Sequence, residues 1–166
     1  MANNSNNRMN AWLDAATFET VVASTPLISI DFLVLNEQGE YLLGLRNNRP
    51  AQGYWFVPGG RVQKNESLDD AFKRLIRTEL GIELERGAAR FKGVYEHFYQ
   101  DSVFAESVST HYIVLAYKLR LYSNVIQLDA NQHRDLLWIK PEHLNQHLVH
   151  RHSLDYFVEY PRDDNT

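Results

Sequence analysis

Glu79 is a carboxylate in an apolar place. Set out at roughly 100° per residue, the segment Leu68 to Leu80 gathers Leu68, Ala71, Phe72, Leu75, Ile76 and Leu80 on one helical face. Glu79 falls between Phe72 and Leu75 on that face. Packing strips its hydration there, a cost that pairing or a metal ion normally offsets. Just upstream, Pro58-Gly59-Gly60-Arg61 spells a tight backbone turn with a glycine carbonyl open to an ion. A carboxylate, a bare carbonyl and an arginine that converge suit a hydrated Mg²⁺ bridging diphosphate oxygens. Read on its own, the helix also allows Glu79 to reach past Leu80 into solvent, or to pair with a core arginine.

Other polar residues carry two readings each. Asp31 interrupts the apolar run Leu27 to Leu35 between Ile30 and Phe32, as a sheet-edge charge or as a ligand group. Arg46 and Arg49 on a polar loop read as solvated. Arg74 lies off the apolar face, where Asp70 or Thr78 is a partner at helical spacing. Glu66 complements the dipole at the start of the helix. From the residues alone, Gln132 is a plain loop amide and His133 one of seven histidines. His111 and Tyr112 fit packing as well as chemistry, and the aromatic segment Tyr95 to Tyr99 fits a core or a stacking surface for a base.

The elements that must position these residues follow from pattern. Asp14 to Ala23 reads as a short helix stopped before Pro26. Leu27 to Leu35 and Tyr41 to Leu45 read as a hairpin around Asn36-Glu37-Gln38-Gly39. Trp55 to Val57 is a short strand that ends at the glycine turn. Leu68 to Leu80 is the clearest helix, with Gly81 as its stop. Phe91 to Tyr99 and Thr110 to Leu121 are longer strands, and Trp138-Ile139 ends another. Pro141 opens a helix, and Leu154 to Tyr160 is a last one. Strands interleaved with few helices predict an α/β chain of α+β type, a mixed sheet with helices on its faces.

The chain has 166 residues, enough for one well-buried core. Its 44% hydrophobic and 23% charged residues are those of a globular protein, and the net charge of -4 disfavours a nucleic-acid partner. Without cysteine it has no disulfide framework and no thiolate ligand, which fits a cytoplasmic location. The Asn-rich start has no apolar core of a signal peptide, so residues 1–12 are expected to form a flexible leader and 13–166 a single domain. No apolar run reaches the roughly 20 residues of a membrane helix.

From Gly60 the chain reads GRVQKNESLDDAFKRLIRTELGI. This stretch resembles the Nudix box, G-x5-E-x7-R-E-U-x-E-E-x-G-U, with Gly60, Glu66, Arg74, Ile76, Glu79, Gly81 and Ile82 at matching positions. Leu75 and Thr78 stand where two of the box's glutamates are expected. The GDP-mannose mannosyl hydrolase subfamily carries the same pair of departures. The flanks are similar too: Ser24-Thr25-Pro26-Leu27, the run from Asn48 to Lys64, and Gln132-His133. The resemblance spans roughly Phe18 to Trp138.

The resemblance implies a Nudix fold, a mixed sheet sandwiched between helices with a loop-helix-loop catalytic motif. It implies Mg²⁺-dependent hydrolysis of GDP-mannose, and of GDP-glucose, to GDP and free sugar, with water attacking the anomeric carbon and inverting it. One Mg²⁺ would be held by Gly59, Glu79 and Gln132, with Mn²⁺ as a substitute. His133 would be the general base, and Arg46, Arg61 and Arg74 would surround the departing diphosphate. Asp31, His97 and Tyr112 would line the sugar and leaving-group region. A homodimer is implied as well. Two alternatives stay open: a pyrophosphatase that attacks phosphorus to give GMP and sugar 1-phosphate, and a non-catalytic nucleotide-sugar sensor.

Overall fold

The sheet grows from its most apolar segment. In the computed structural model, which describes residues 13–105, 107–126 and 133–158, Leu27–Leu35 forms strand β1. Ile30, Phe32, Leu33 and Val34 within it are at most 1% exposed, so both faces of this strand are covered. Its β-branched and aromatic residues suit a pleat packed on two sides. On one edge β1 pairs in parallel with β6 (Thr110–Arg120) along its whole length. The other edge is shared between β2 (Tyr41–Arg46), at the hairpin end, and β4 (Gly59–Arg61). Strand β3 (Trp55–Phe56) and strand β7 (His133–Ile139) pair with β2, and β5 (Arg90–Tyr99) closes the far side against β6.

The strand alternation sorts β1 into two layers. Ile30, Phe32 and Val34 pack with Ala71, Phe72, Leu75, Ile76 and Leu80 of helix α2 (Leu68–Leu80). Leu33 and Leu35 face the other way, into a cluster with Leu144, Val149 and Tyr156. A mixed sheet lies between helical layers, as expected. Helix α2 has the predicted limits for stated reasons. Ser67 caps it by accepting the Asp70 N–H at 3.1 Å, and Gly81 ends it in the left-handed region at φ 68°. Phe72, Ile76 and Leu80 are fully buried, each contributing on the order of 1.5–3 kcal/mol. Leu68, counted on the apolar face, is instead 37% exposed at the helix start.

Strands β2, β3, β5 and β6 differ from their sequence-based limits by one residue, and other segments differ for identifiable reasons. Helix α1 runs Ala15–Ser24, because Asp14 stands outside it as the cap, accepting the Thr17 N–H at 3.0 Å. Pro58-Gly59-Gly60 does not turn the chain: Gly59–Arg61 is a strand, held by its ladder to β1. The segment after Pro141 forms a 3₁₀ helix, Pro141–Gln146. The last helix is earlier and shorter, α3 Arg151–Leu154 followed by a 3₁₀ turn Asp155–Phe157; Tyr160 lies outside the described residues.

This C-terminal segment is tied to β3. The Trp55 N–H donates to Leu148 O at 2.9 Å, the His150 N–H to Trp55 O at 3.1 Å, and the Val57 N–H to Ser153 Oγ at 3.2 Å. Those bonds bring His150, His152 and Tyr156 beneath the same sheet end that carries Asp31.

Candidate functional site

Two cavities meet at Gly59 and Gly60. The larger, about 520 Å³, is lined by Arg46, Arg49, Arg61 and Arg74 with Glu79 among them. The smaller, about 130 Å³, is lined by Asp31, Arg46, Arg61, His97, Tyr99 and Tyr112. Each thus has one carboxylate and an excess of guanidinium groups, a local basic pocket in an acidic chain. Such a pocket suits an anionic ligand of diphosphate type.

The diglycine makes the junction. A Cβ on Gly59 would overlap Asp31 Oδ1 and come within 2.5 Å of the Ile30 carbonyl. A Cβ on Gly60 would lie 2.5 Å from Leu75 Cδ2. In the antiparallel pair, Phe32 N donates to Pro58 O at 2.8 Å and Val62 N to Ile28 O at 2.9 Å. Alternation therefore turns the carbonyls of Gly59 and Arg61 away from β1. The Arg61 carbonyl accepts from Arg74 Nη2 of α2 at 2.9 Å, so this edge of β4 faces α2, and Gly59 O shares it.

Glu79 is 4% exposed on α2 and lines the larger cavity. It acts electrostatically on Asp31, which places the two carboxylates in one field. Desolvation raises the Asp31 carboxyl to about 7; the Tyr156 hydrogen bond and the Arg46 charge oppose that rise, and Glu79 adds to it. Arg46 sits over the Phe56 ring at 5.2 Å and Arg61 over Phe18 at 4.0 Å, so aromatic faces hold both guanidiniums at the cavities. Burial lowers the Arg61 pKa against the opposing effect of Tyr112, and the neighbouring Arg74 adds a smaller lowering. Burial also raises the Tyr112 phenol, which lines both cavities.

The Arg74 guanidinium pairs with neither of its expected helical partners. It makes a two-pronged pair with Glu66, Nε to Oε1 at 2.6 Å and Nη2 to Oε2 at 2.8 Å, while Glu66 Oε2 also accepts the Gln63 N–H at 2.9 Å. Arg74 thereby ties the loop before α2 to the helix and to β4, at the cavity wall. Thr78 donates its hydroxyl to the Arg74 carbonyl at 2.9 Å. Leu75 is 3% exposed against Gly60.

His97 is 4% exposed, with its ring stacked on His152 at 4.3 Å and Nε2 at 3.2 Å from the Tyr156 oxygen. His111 stacks on Phe98 at 4.3 Å, a packing role. His133 begins β7 with its backbone opposite Arg46, at the cavity's edge. Its side chain, and Gln132, lie outside the described residues.

Tyr156, His150 and His152 are absent from the sequence-based set, and Tyr99 entered it only within the aromatic segment Tyr95 to Tyr99. Alternation along β5 does put Tyr95, His97 and Tyr99 on one face, and that signal was available. No local spacing joins them to Tyr156, 59 residues from His97.

Among the described residues no three His, Cys, Asp or Glu side chains form a metal cluster. The donors at the junction are instead one buried carboxylate and an outward glycine carbonyl. Hard oxygen donors in that number fit a single Mg²⁺ that keeps most of its water.

Residues 25–160 match the NUDIX domain. The chain is 39% identical over 138 residues to the low-salt glycan biosynthesis protein Agl8 of Haloferax volcanii, covering 83% of this chain and 86% of that one. It is 30% identical over 125 residues to the CTP pyrophosphohydrolase of Escherichia coli, covering 73% and 82%. Among solved structures, the MutT protein from Methanosarcina mazei superposes with a TM-score of 0.64 at 25% identity, over 81% of this chain and 92% of that one.

Proposed function

Because this chain belongs to the NUDIX domain family, we propose that it is a Mg²⁺-dependent hydrolase that splits GDP-mannose, and GDP-glucose, into GDP and free sugar. The observation that carries this reading is the identity of two residues on α2. Leu75 and Thr78 occupy box positions where glutamates are expected. Leu75 is buried against Gly60, and the Thr78 hydroxyl is bonded to the backbone. Glu79 is then the box carboxylate left at the cavity, where arginines predominate. A site so poor in carboxylates is ill suited to gathering several metals around phosphorus. It is well suited to accepting a departing diphosphate intact.

In this reading Glu79 and Gly59 O, with Gln132, would hold one Mg²⁺, which would supply positive charge to the diphosphate. Arg46 and Arg61 stabilise the same charge from the other side. Arg74 keeps Glu66 and β4 in register beneath them. Asp31 and Tyr112 contact the sugar. His133 takes a proton from water as its oxygen bonds to the anomeric carbon, and the bond from that carbon to the diphosphate oxygen breaks, with inversion. The relative named for glycan biosynthesis agrees with a site for activated sugars. A homodimer is part of the same proposal.

A second reading has one observation in its favour, the relative named CTP pyrophosphohydrolase. It would attack phosphorus and release GMP with sugar 1-phosphate. Hydrolysis of GDP-mannose in ¹⁸O-labelled water separates the two. We expect the label in the sugar; label in a phosphate product overturns attack at carbon.

A further inference from the structure

Asp31 enters the smaller cavity with one carboxylate oxygen hydrogen-bonded and the other packed beside Gly59. Oδ1 lies against Gly59, close enough that any side chain there would displace it. Oδ2 accepts the phenolic proton of Tyr156 at 2.6 Å. Tyr156 is 1% exposed in the 3₁₀ turn after α3, and Tyr95 meets its ring edge-on at 4.7 Å. A residue so enclosed has little rotameric freedom to lose.

A phenol has one proton to give. When Asp31 is ionised and this proton is donated to it, the Tyr156 oxygen can only accept from its other neighbour, His97 Nε2 at 3.2 Å. Nε2 must therefore carry the imidazole hydrogen and donate it. Burial, and then the neighbouring His152 and His150, pushes His97 down to about 3, so the ring is neutral and has this single N–H. Direction is thus fixed along the row: His97 donates to Tyr156, and Tyr156 donates to Asp31. Each bond polarises the next.

We infer that Tyr156, backed by His97, is a positioning residue that holds the Asp31 carboxylate in the orientation a sugar hydroxyl meets. This rests on the reading of Asp31 as a sugar contact. It accounts for a buried tyrosine hydroxyl far along the chain from every box residue. It also gives His97 a role without direct contact with substrate: it supplies the hydrogen bond that leaves the tyrosine proton to Asp31. The segment carrying Tyr156 is anchored through Ser153 to Val57, on the strand run that leads into Gly59. Asp31 is thereby clamped between β4 and the C-terminal turn.

The test is a double-mutant cycle with GDP-mannose as substrate. Tyr156→Phe keeps the ring and deletes the hydroxyl. We expect it to lower kcat about 10–100-fold with KM changed far less, as for a misplaced contact group. In an Asp31→Asn background the same change should cost little more, because its target is already lost. Equal and independent losses in the two backgrounds would overturn the inference, as would an unchanged kcat in Tyr156→Phe.

A second measurement needs no variant and no substrate. Long-range ¹H–¹⁵N spectra of the unaltered protein at pH 8, where Asp31 is ionised, should show His97 neutral and protonated at Nε2. A cationic His97, or one protonated at Nδ1, would overturn the row of hydrogen bonds. Absence of turnover with any nucleotide sugar refutes the proposed substrate alone, and the spectra still decide the role of Tyr156.

Discussion

Glu79 owes its position to helical period: one residue before Leu80 and seven beyond Phe72, it cannot leave the buried face without unwinding α2. At 4% exposure the carboxylate has lost most of its water, in a cavity whose other charged lining is arginine and which, in the proposed holoenzyme, holds a cation. Glu79→Gln keeps the shape and removes the charge. The Mg²⁺ concentration for half-maximal activity should then rise about 10–100-fold, in the range by which metal affinity follows ligand charge and support. Metal titrations of the two proteins check this, and coincident curves would remove Glu79 from the ligand set. The sequence made this residue legible because periodicity is local. The partner of Arg74 was not legible: helical spacing offered Asp70 and Thr78, whereas Glu66 reaches it from the loop, eight residues away. Nor could period assign Leu75 its contact, since Gly60 belongs to a strand whose pairing is set elsewhere.

Strand β4 shows how tertiary pairing overrides local preference. Proline and two glycines are poor strand formers, and by propensity they make a turn. The ladder to β1 recruits the two glycines anyway, because only residues without side chains fit between Asp31, Ile30 and Leu75. The other element limits were nearer the surface of the sequence: β1 and α2 are bounded by proline, capping serine and left-handed glycine, all of which act within a few residues. The two glycines predict different costs. An alanine at Gly60 meets the end of a leucine side chain, which can shift. At Gly59 it meets the Ile30 carbonyl, which is backbone, as well as Asp31. Overpacking of this kind costs roughly 1–3 kcal/mol, and Gly59→Ala should stand at or above the top of that range, with Gly60→Ala below it. Urea unfolding of both variants gives the order, and the reverse order would contradict the packing described. Measured in a Leu75→Ala background, the cost of Gly60→Ala should shrink and that of Gly59→Ala should not.

At the scale of the whole molecule, the long-range contacts that the sequence concealed also set the response to acid. His97 comes from β5 and His150 and His152 from the C-terminal segment, and the fold stacks them under one sheet end. Burial, reinforced by mutual repulsion, lowers His97 to about 3 and His150 to about 4; burial lowers His152 too, against its bond to Phe98 O. Unfolded, each would bind a proton near 6.5, so between that pH and the folded values the unfolded chain holds more protons. Their contribution to stability is complete above about 6.5 and is lost progressively as pH falls. Asp31 runs the other way. Its carboxyl is raised to about 7, so its contribution is present below the unfolded value and fades as pH rises through about 7. Over pH 4–6.5 three depressed histidines oppose one raised carboxyl, and the histidines prevail. The melting temperature should therefore drop between pH 7 and pH 5, and His97→Gln, which cannot take up that proton, should flatten the slope. Thermal unfolding of both proteins across this range measures the difference. Parallel slopes would mean that His97 accepts its proton as readily in the folded state as in the unfolded one, and would remove His97 from the acid response.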